Sequence, residues 1–448
     1  MRLFATLLIL TAFGTSLAAA VARAGEKSVA EEILDILRAS HQIDQRQYED
    51  LLEKARSERT GAQAAPQDPR TFRVYWKNGI RLDTRDGAFK LKIGGRLQND
   101  WAVFQEDSGV GRSIGQLGNG TEFRRARLYV AGTLYDRLKF KAQYDFAGGQ
   151  TKLKDAYIEL TRLPGVGHLR VGHFKEPYGL EELTSSKYLT FQERSIGNFA
   201  PSRNTGIMIF DSVLEKRLTW AAGGFYGTND FASSDTTEGN DKQFNATARL
   251  TALPWYRDQG ARLLHLGLSY SHKFRTRDML RFRKRPEAHL AAHRLVDTGN
   301  VLVDGADLVT PEVALVWGPF SIQAEYTRIF LDAVGMRNSD FEGYYVQASY
   351  FLTGEHRRYA PAHGAFSRVS PITDFTLGGG PGAWELAVRY SRIDLDDAGV
   401  SGGRLGDLAV GVNWHLNPNV RLMLDYVHSR LASTGDVNLA EGRFQVDF

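Results

Sequence analysis

The sequence predicts an all-β transmembrane barrel of sixteen antiparallel strands with a short helical arm at its N-terminal end. Three observations lead there. The last nine residues, AEGRFQVDF, put Phe444, Val446 and Phe448 on one side of an alternating segment and Arg443, Gln445 and Asp447 on the other. One greasy face and one wet face is how a barrel strand divides its side chains between lipid and lumen. The chain is rich in aromatics (25 Phe, 18 Tyr, 7 Trp) and glycine (45), yet its mean hydropathy is only -0.33. A wet interior within an apolar rind gives that mixture, whereas a bundle of membrane helices does not. Beyond the first 24 residues no segment offers the roughly 18 consecutive apolar residues that a membrane helix needs.

Residues 1–24 read as a secretory signal peptide. Arg2 precedes an apolar stretch from Leu3 to about Leu17, and Ala22, Arg23 and Ala24 make a small-residue cleavage site. Cleavage before Gly25 removes Arg2 and Arg23, so 56 basic residues become 54 against 52 acidic ones and the net charge falls from +4 to +2. That balance gives no support for nucleic-acid binding. With no cysteine in the chain, disulfides and thiolate metal sites are excluded.

Residues 25–61 read as helix. Ser28 with Glu31, and Asp44 with Gln47, have capping-box spacing. Val29, Ile33, Ile36 and Leu37 form an apolar stripe that Tyr48, Leu51 and Leu52 continue. Two short helices or one broken helix fit this pattern. Three copies packed together would bury the stripe as a small coiled coil, and packing against its own chain would serve equally. Residues 62–71, with two prolines, read as a linker.

From residue 72 the period becomes two. Phe89, Leu91, Ile93, Leu97, Trp101 and Val103 share one parity, and Lys90, Lys92, Arg96, Gln98 and Asp100 the other. Two further segments lie between Phe123 and Phe146, joined across Tyr135 to Arg137; in the second, Leu138, Phe140, Ala142, Tyr144 and Phe146 alternate with Lys139, Lys141, Gln143 and Asp145. Other candidates fall near 152–162, 166–174, 205–212, 217–227, 242–253, 261–274, 308–318, 319–331, 341–353, 382–393, 405–416, 418–430 and 440–448. The count is sixteen, with residues 72–82 left as an additional strand. Some connections are tight (417–419, 317–320), while 106–121, 176–204, 274–307 and 354–382 are long and polar or glycine-rich. That contrast predicts short turns on one rim and long loops on the other. A sixteen-stranded barrel leaves a water-filled lumen. Trp101, Tyr135, Trp220, Trp317 and Tyr350, near strand ends, suit interfacial girdles. A soluble β-sandwich explains neither the terminal Phe448 nor lysines set opposite lipid-like faces.

The runs FRRARLYVAGTLYDRLKFKAQYDFAG from Phe123, LKDAYIEL, and VGHFKEPYGLEELTSSKYLTFQERS from Val171 to Ser195 resemble the phosphate-selective porin O and P family of Gram-negative outer membranes. The likeness extends more weakly from about Phe72 to Phe448. It implies a trimeric sixteen-stranded barrel, with an arginine ladder leading to a constriction where anions shed water onto lysine, arginine and serine side chains. By matching positions, Arg124 and Arg125 are ladder residues; Asp155, Ser185, Ser186 and Arg194 are constriction residues, the last three on a loop at 176–204 that is expected to fold into the pore. Family members selective for phosphate carry a lysine three residues before the Ser-Ser pair, where this chain has Glu182. A carboxylate there would repel a phosphate dianion.

Parity adds an independent reading. Arg125 and Arg127 stand opposite Ala126, Leu128 and Val130, so they face the lumen, as do Lys90, Lys92, Arg96, Lys139, Lys141 and Arg170. Arg124 has the wrong parity unless it lies at a strand end or a bulge. Arginine suits oxyanions because its planar fork can bind two oxygens, and serine hydroxyls add neutral donors. Rings of such groups set anion preference. The alternative for each cation is a lumenal ion pair, such as Lys139 or Lys141 with Asp155 or Glu159.

No HExxH, GxSxG or P-loop motif appears, and His168 and His173, five apart on a strand, face opposite sides. No enzyme activity, metal or cofactor is expected. The glycines of GVGRSIGQLGNG (109–120) read as a surface loop. The expected function is a passive anion porin for phosphate or polyphosphate, embedded in outer-membrane lipid as a homotrimer. The competing readings are a general or differently selective porin for small solutes, and a barrel that tethers the envelope by touching peptidoglycan or a periplasmic partner through residues 25–61.

Overall fold

A computed structural model describes residues 29–63, 71–233 and 243–448. The signal-peptide reading at 1–24 and the centre of the linker lie outside these residues. The chain divides into a unit ending at Thr71 and a second spanning Phe72–Phe448.

The first unit is a pair of helices, Val29–Ala39 and Gln45–Gln63. The second starts on the capping box read from the sequence: Gln47 N–H donates to Asp44 Oδ1 at 2.8 Å and Asp44 N–H to Gln47 Oε1 at 3.0 Å. Tyr48 Oη donates to Asp35 at 2.6 Å, and Arg38 lies over the Tyr48 ring. The pair buries Leu34 and leaves Ile33, Ile36 and Leu51 exposed.

The second unit opens with the hairpin β1 (Phe72–Trp76) and β2 (Ile80–Thr84). The barrel then begins with β3 (Lys90–Glu106), β4 (Gly120–Leu134), β5 (Leu138–Asp145), β6 (Lys152–Leu163) and β7 (Gly167–Lys175). It continues through β8 (Arg203–Val213), β9 (Leu218–Tyr226), β10 (Phe244–Arg257) and β11 (Arg262–Leu280). Short β12 (Arg283–Lys284) and β13 (Val296–Asp297) pair within the following loop. Next come β14 (Val301–Trp317), β15 (Phe320–Ala333) and β16 (Ser339–Phe351). A small hairpin of β17 (Tyr359–Ala360) and β18 (Ala365–Phe366) interrupts the sequence. The wall ends with β19 (Ala383–Asp397), β20 (Val400–Asn417), β21 (Val420–Leu431) and β22 (Gly435–Asp447).

Every barrel neighbour is antiparallel, and β22 returns to β3, with Asp447 opposite Arg96 and Val437 opposite Glu106. The sixteen expected strands are therefore present and closed into a barrel. The period of two is visible in exposure: on β22 Phe444 is 48% exposed while Arg443 and Gln445 are 2% and 3% exposed. Trp101, Tyr135, Trp317 and Tyr350 are exposed outward. One expectation fails. The long connection at 352–382 follows β16, so it leaves the barrel on the same rim as the tight turns at 135–137 and 418–419, not among the long loops.

The seam is closed by backbone as well as by side chains. Gly95 N–H donates to Phe448 O at 2.8 Å and Phe448 N–H to Gly95 O at 3.0 Å. A Cβ on Gly95 would stand 2.6 Å from Arg127 O and 2.8 Å from the Phe448 ring. Gly95→Ala should therefore lower barrel stability by about 1–3 kcal/mol through overpacking. The temperature at which the detergent-solubilised barrel loses its compact electrophoretic mobility measures this; an unchanged value rules out a tight seam.

Candidate functional site

The residues that face the lumen between β3 and β8 are dominated by cations. A cavity of about 560 Å³ is lined by eleven lysines and arginines against three carboxylates, Asp155, Glu182 and Asp211. Arg96, Arg124, Arg125, Arg127, Lys141, Asp155, Arg170, Ser185, Ser186 and Arg194 all belong to this lining; Lys139 stands outside it. Arg124 joins through a bulge. The β3–β4 register steps from Gln98–Arg125 to Asn99–Phe123, which leaves Arg124 as the extra residue and turns it inward.

Most of these cations have carboxylate partners. Arg124 meets Glu193 at 2.9 Å, Arg127 meets Asp145 at 2.7 Å, and Arg125 donates to Gln98 at 2.9 Å with Glu193 at 3.6 Å. Lys141 and Arg203 share Asp155 at 2.5 and 2.7 Å; Lys139 and Arg170 share Glu159 at 3.2 and 2.6 Å. Arg96 differs. Its guanidinium donates to the Ser186 hydroxyl at 2.5 Å and reaches the Ser185 hydroxyl at 3.5 Å. Among the described residues no carboxylate lies within 4 Å of it.

Those serines belong to the loop at 176–202, which crosses the lumen. Its near end is held by Glu176, which accepts from Asn204, Asn245 and Thr247. In its middle, the short helix Leu180–Leu183 points its first two N–H groups at the Glu325 carboxylate on β15 (2.6 and 3.0 Å). On the far wall Asn413 donates to Thr190 O, Arg421 to Leu189 O, and Gln192 N–H to Asp425. Arg443 ties the loop to β3: it grips Asp100 through two bonds at 2.6 Å and meets Glu193 at 2.8 Å.

Glu182 is neutralised by its neighbours. Lys175 lies 2.9 Å and Arg194 2.8 Å from its carboxylate. Burial by itself would raise the Glu182 carboxyl, but Arg194 and Lys175 outweigh it and hold the group below the ordinary glutamate range. Arg194 also donates to the carbonyls of Glu181, Glu182 and Thr184. It is thereby committed to holding the loop's shape.

Two further segments enter the lumen. From the loop rim, the connection at 281–300 brings Glu287, which accepts from Ile196 N–H at 3.1 Å and from Arg389 Nε at 2.8 Å. The same connection carries Arg283, Arg285 and Arg294; burial, then repulsion from Arg283 and Arg285, lowers the Arg294 guanidinium. From the turn rim, the segment at 352–382 brings Phe366, whose N–H donates to Thr184 Oγ1 at 3.3 Å, and Gly364, whose carbonyl accepts from Arg249 at 2.8 Å. Ala362, His363 and Ala365 complete the lining. Loops from opposite rims therefore meet inside the barrel and reduce the lumen to a slot along its cationic wall.

Sequence reasoning missed Arg203, Lys175, Lys154 and Arg249 in this lining. Arg249 was legible, because Thr247, Arg249 and Thr251 keep one parity on β10. Arg203 was not, since it stands at the end of β8 and owes its place to Asp155.

Lys284, in the 281–300 connection, supplies a pH prediction. It is half-buried against Asn198 O and the Phe199 ring, and its desolvation pushes the ammonium down to about 8 despite Glu181 and Glu182. The unfolded chain then holds a proton at this site between about pH 8 and the ordinary lysine value near 10.4, where the folded one has released it. Stability from this group therefore rises with pH across that window. Unfolding midpoints at pH 7.5 and 9.5 should rise for the wild type relative to Lys284→Met; parallel changes in both proteins refute it.

The model of a family described as phosphate-selective porin O and P matches residues 91–448. Porin O of Pseudomonas aeruginosa is 28% identical over 391 residues, covering 80% of this chain and 86% of that protein. An uncharacterised protein of Caulobacter vibrioides is 31% identical over 394 residues, covering 84% and 77%. Among solved structures, an anion-selective porin from Comamonas acidovorans superposes with a TM-score of 0.53 at 12% identity, over 80% of this chain and 100% of that one. OmpT of Vibrio cholerae does so with 0.51 at 12% identity, over 81% and 98%.

Proposed function

Because the chain belongs to the phosphate-selective porin O and P family, and is thus a channel protein of the Gram-negative outer membrane, we propose that it is a passive porin that prefers anions and admits phosphate-like oxyanions. The observation that carries this reading is Arg96. It is a guanidinium lining the slot whose partners among the described residues are the hydroxyls of Ser185 and Ser186 on the infolded loop. A tetrahedral oxyanion there would meet the guanidinium fork and two hydroxyl donors together. The flanking cations, although paired, outnumber the carboxylates and keep the wall positive. Glu182 does not oppose this, since Lys175 and Arg194 neutralise it. The names of relatives, Porin O and an anion-selective porin, point the same way.

The short-turn rim is then periplasmic. A homotrimer accords with the wall being lowest at β5, β7 and β9, of 8, 9 and 9 residues, where neighbouring barrels would cover a thin side. The exposed Ile33, Ile36 and Leu51 of the helical arm leave a periplasmic contact, including one with peptidoglycan, as its proposed role.

A second reading, a general porin for small solutes, draws support from the pairing of most wall cations. Reversal potential in a potassium chloride gradient across planar bilayers separates the two, with the chloride current then titrated by inorganic phosphate. A reversal potential close to that of chloride, with current blocked by phosphate, is the expected result. Large ohmic current without preference or block overturns it in favour of the general porin.

A further inference from the structure

We propose that the passage is built for organic oxyanions that carry a flat aromatic body. This deepens the anion-porin reading and rests on it. The cation-rich part of the slot continues toward the turn rim into a zone of a different character. Tyr157 follows Asp155 by two positions on the same face of β6, so it stands about 7 Å from it at a strand rise of roughly 3.3 Å per residue. Arg170, opposite Glu159 across β6 and β7, holds its guanidinium 4.3 Å from the centre of the Tyr157 ring, 4.9 Å from that of Phe210 and 5.3 Å from that of Phe174. Met208 and, from the infolded loop, Leu183 line the same space.

Such a zone offers little to an inorganic ion. Glu159 takes the edge of Arg170 at 2.6 Å and also holds Lys139 at 3.2 Å, so both cations are engaged and only a single net positive charge is left between them. What remains available is the half-buried surface of Tyr157 and Phe210, backed by the buried Phe174 and Met208, which can stack on a flat apolar group. Phosphate stripped of water against such side chains would lose hydration without compensation. An anion whose head sits at Arg96 and the two serines, and whose ring extends along β6, would use both zones. Both zones line the one cavity of about 560 Å³.

The test is block of chloride current through the wild-type porin by phenyl phosphate and by methyl phosphate, which carry the same head on different bodies. Half-block by phenyl phosphate is expected at a concentration at least about fivefold lower. In Phe210→Ala, and separately in Tyr157→Ala, the ratio should fall toward one while block by methyl phosphate is unchanged. Equal block by the two esters in the wild-type protein overturns the proposal without any variant having to fold. Block by neutral phenol equal to that by phenyl phosphate overturns it too, as membrane adsorption. Anion preference with equal block leaves the anion-porin reading standing alone; loss of anion preference as well removes both.

Discussion

Arg389→Met should loosen two infolded loops at once and give a wider, less selective channel. Arg389 is a single side chain, 2% exposed, between them. It donates to Glu287 from the 281–300 connection, and to Glu181 at 3.4 Å and Glu193 O at 3.1 Å on the 176–202 loop, and it lies 4.3 Å over the Phe191 ring. Methionine keeps the aliphatic stem but loses the guanidinium over Phe191 and leaves Glu181 and Glu287 buried without their cation, close to Asp407, which already accepts from Glu287 N–H at 3.1 Å. Removing one partner from a buried ion network costs roughly 3–5 kcal/mol. That is ample to free a loop while β-strand pairing holds the barrel. Single-channel conductance should rise severalfold and anion preference should fall. Adding Glu287→Gln to the same chain should recover part of the loss, because the stranded charge is then removed. Unchanged conductance in the single variant would show that the far-wall anchors at Arg421 and Arg443 suffice.

The second large effect concerns Arg96. Arg96→Gln should raise the phosphate concentration for half-block by about 10- to 100-fold, the equivalent of a charge-assisted hydrogen bond of about 1.5–3 kcal/mol. Lys141→Gln should change it by less than about threefold, because the Lys141 ammonium is engaged by Asp155, which would keep Arg203 as its partner. The contrast matters more than either value. Equal shifts in the two variants would mean that the field of the whole wall, and not one unpaired guanidinium, binds the anion.

The barrel was legible because one physical condition, lipid outside and water inside, imposes the same period on every wall strand. β22 displays it with Phe444 out and Arg443 in. The rim of the 352–382 segment was also within reach: it follows the twelfth barrel strand, and connections after even-numbered strands share a rim. Parity gave the inward direction of Arg125, Arg127 and Lys141. What it could not give was their partners. Glu193 lies 69 residues from Arg124 and arrives only because the loop is tied down elsewhere. Arg96 was one cation among many in the alternating pattern; its distinction is the carboxylate it does not meet, which depends on register and on the docked loop together. Arg124 needed a bulge that no local residue type announces.

The anchoring of the 176–202 loop also orders events during biogenesis. The loop belongs to the first half of the chain, but Asn413, Arg421, Asp425 and Arg443, which hold its far side, are synthesised in the last tenth. A partly assembled sheet therefore has strands but no filter, and selectivity is acquired in the same step that joins β22 to β3. An open intermediate would be a slow, long-range closure away from function, and a chain cut short before β20 would leave the loop without its far shore.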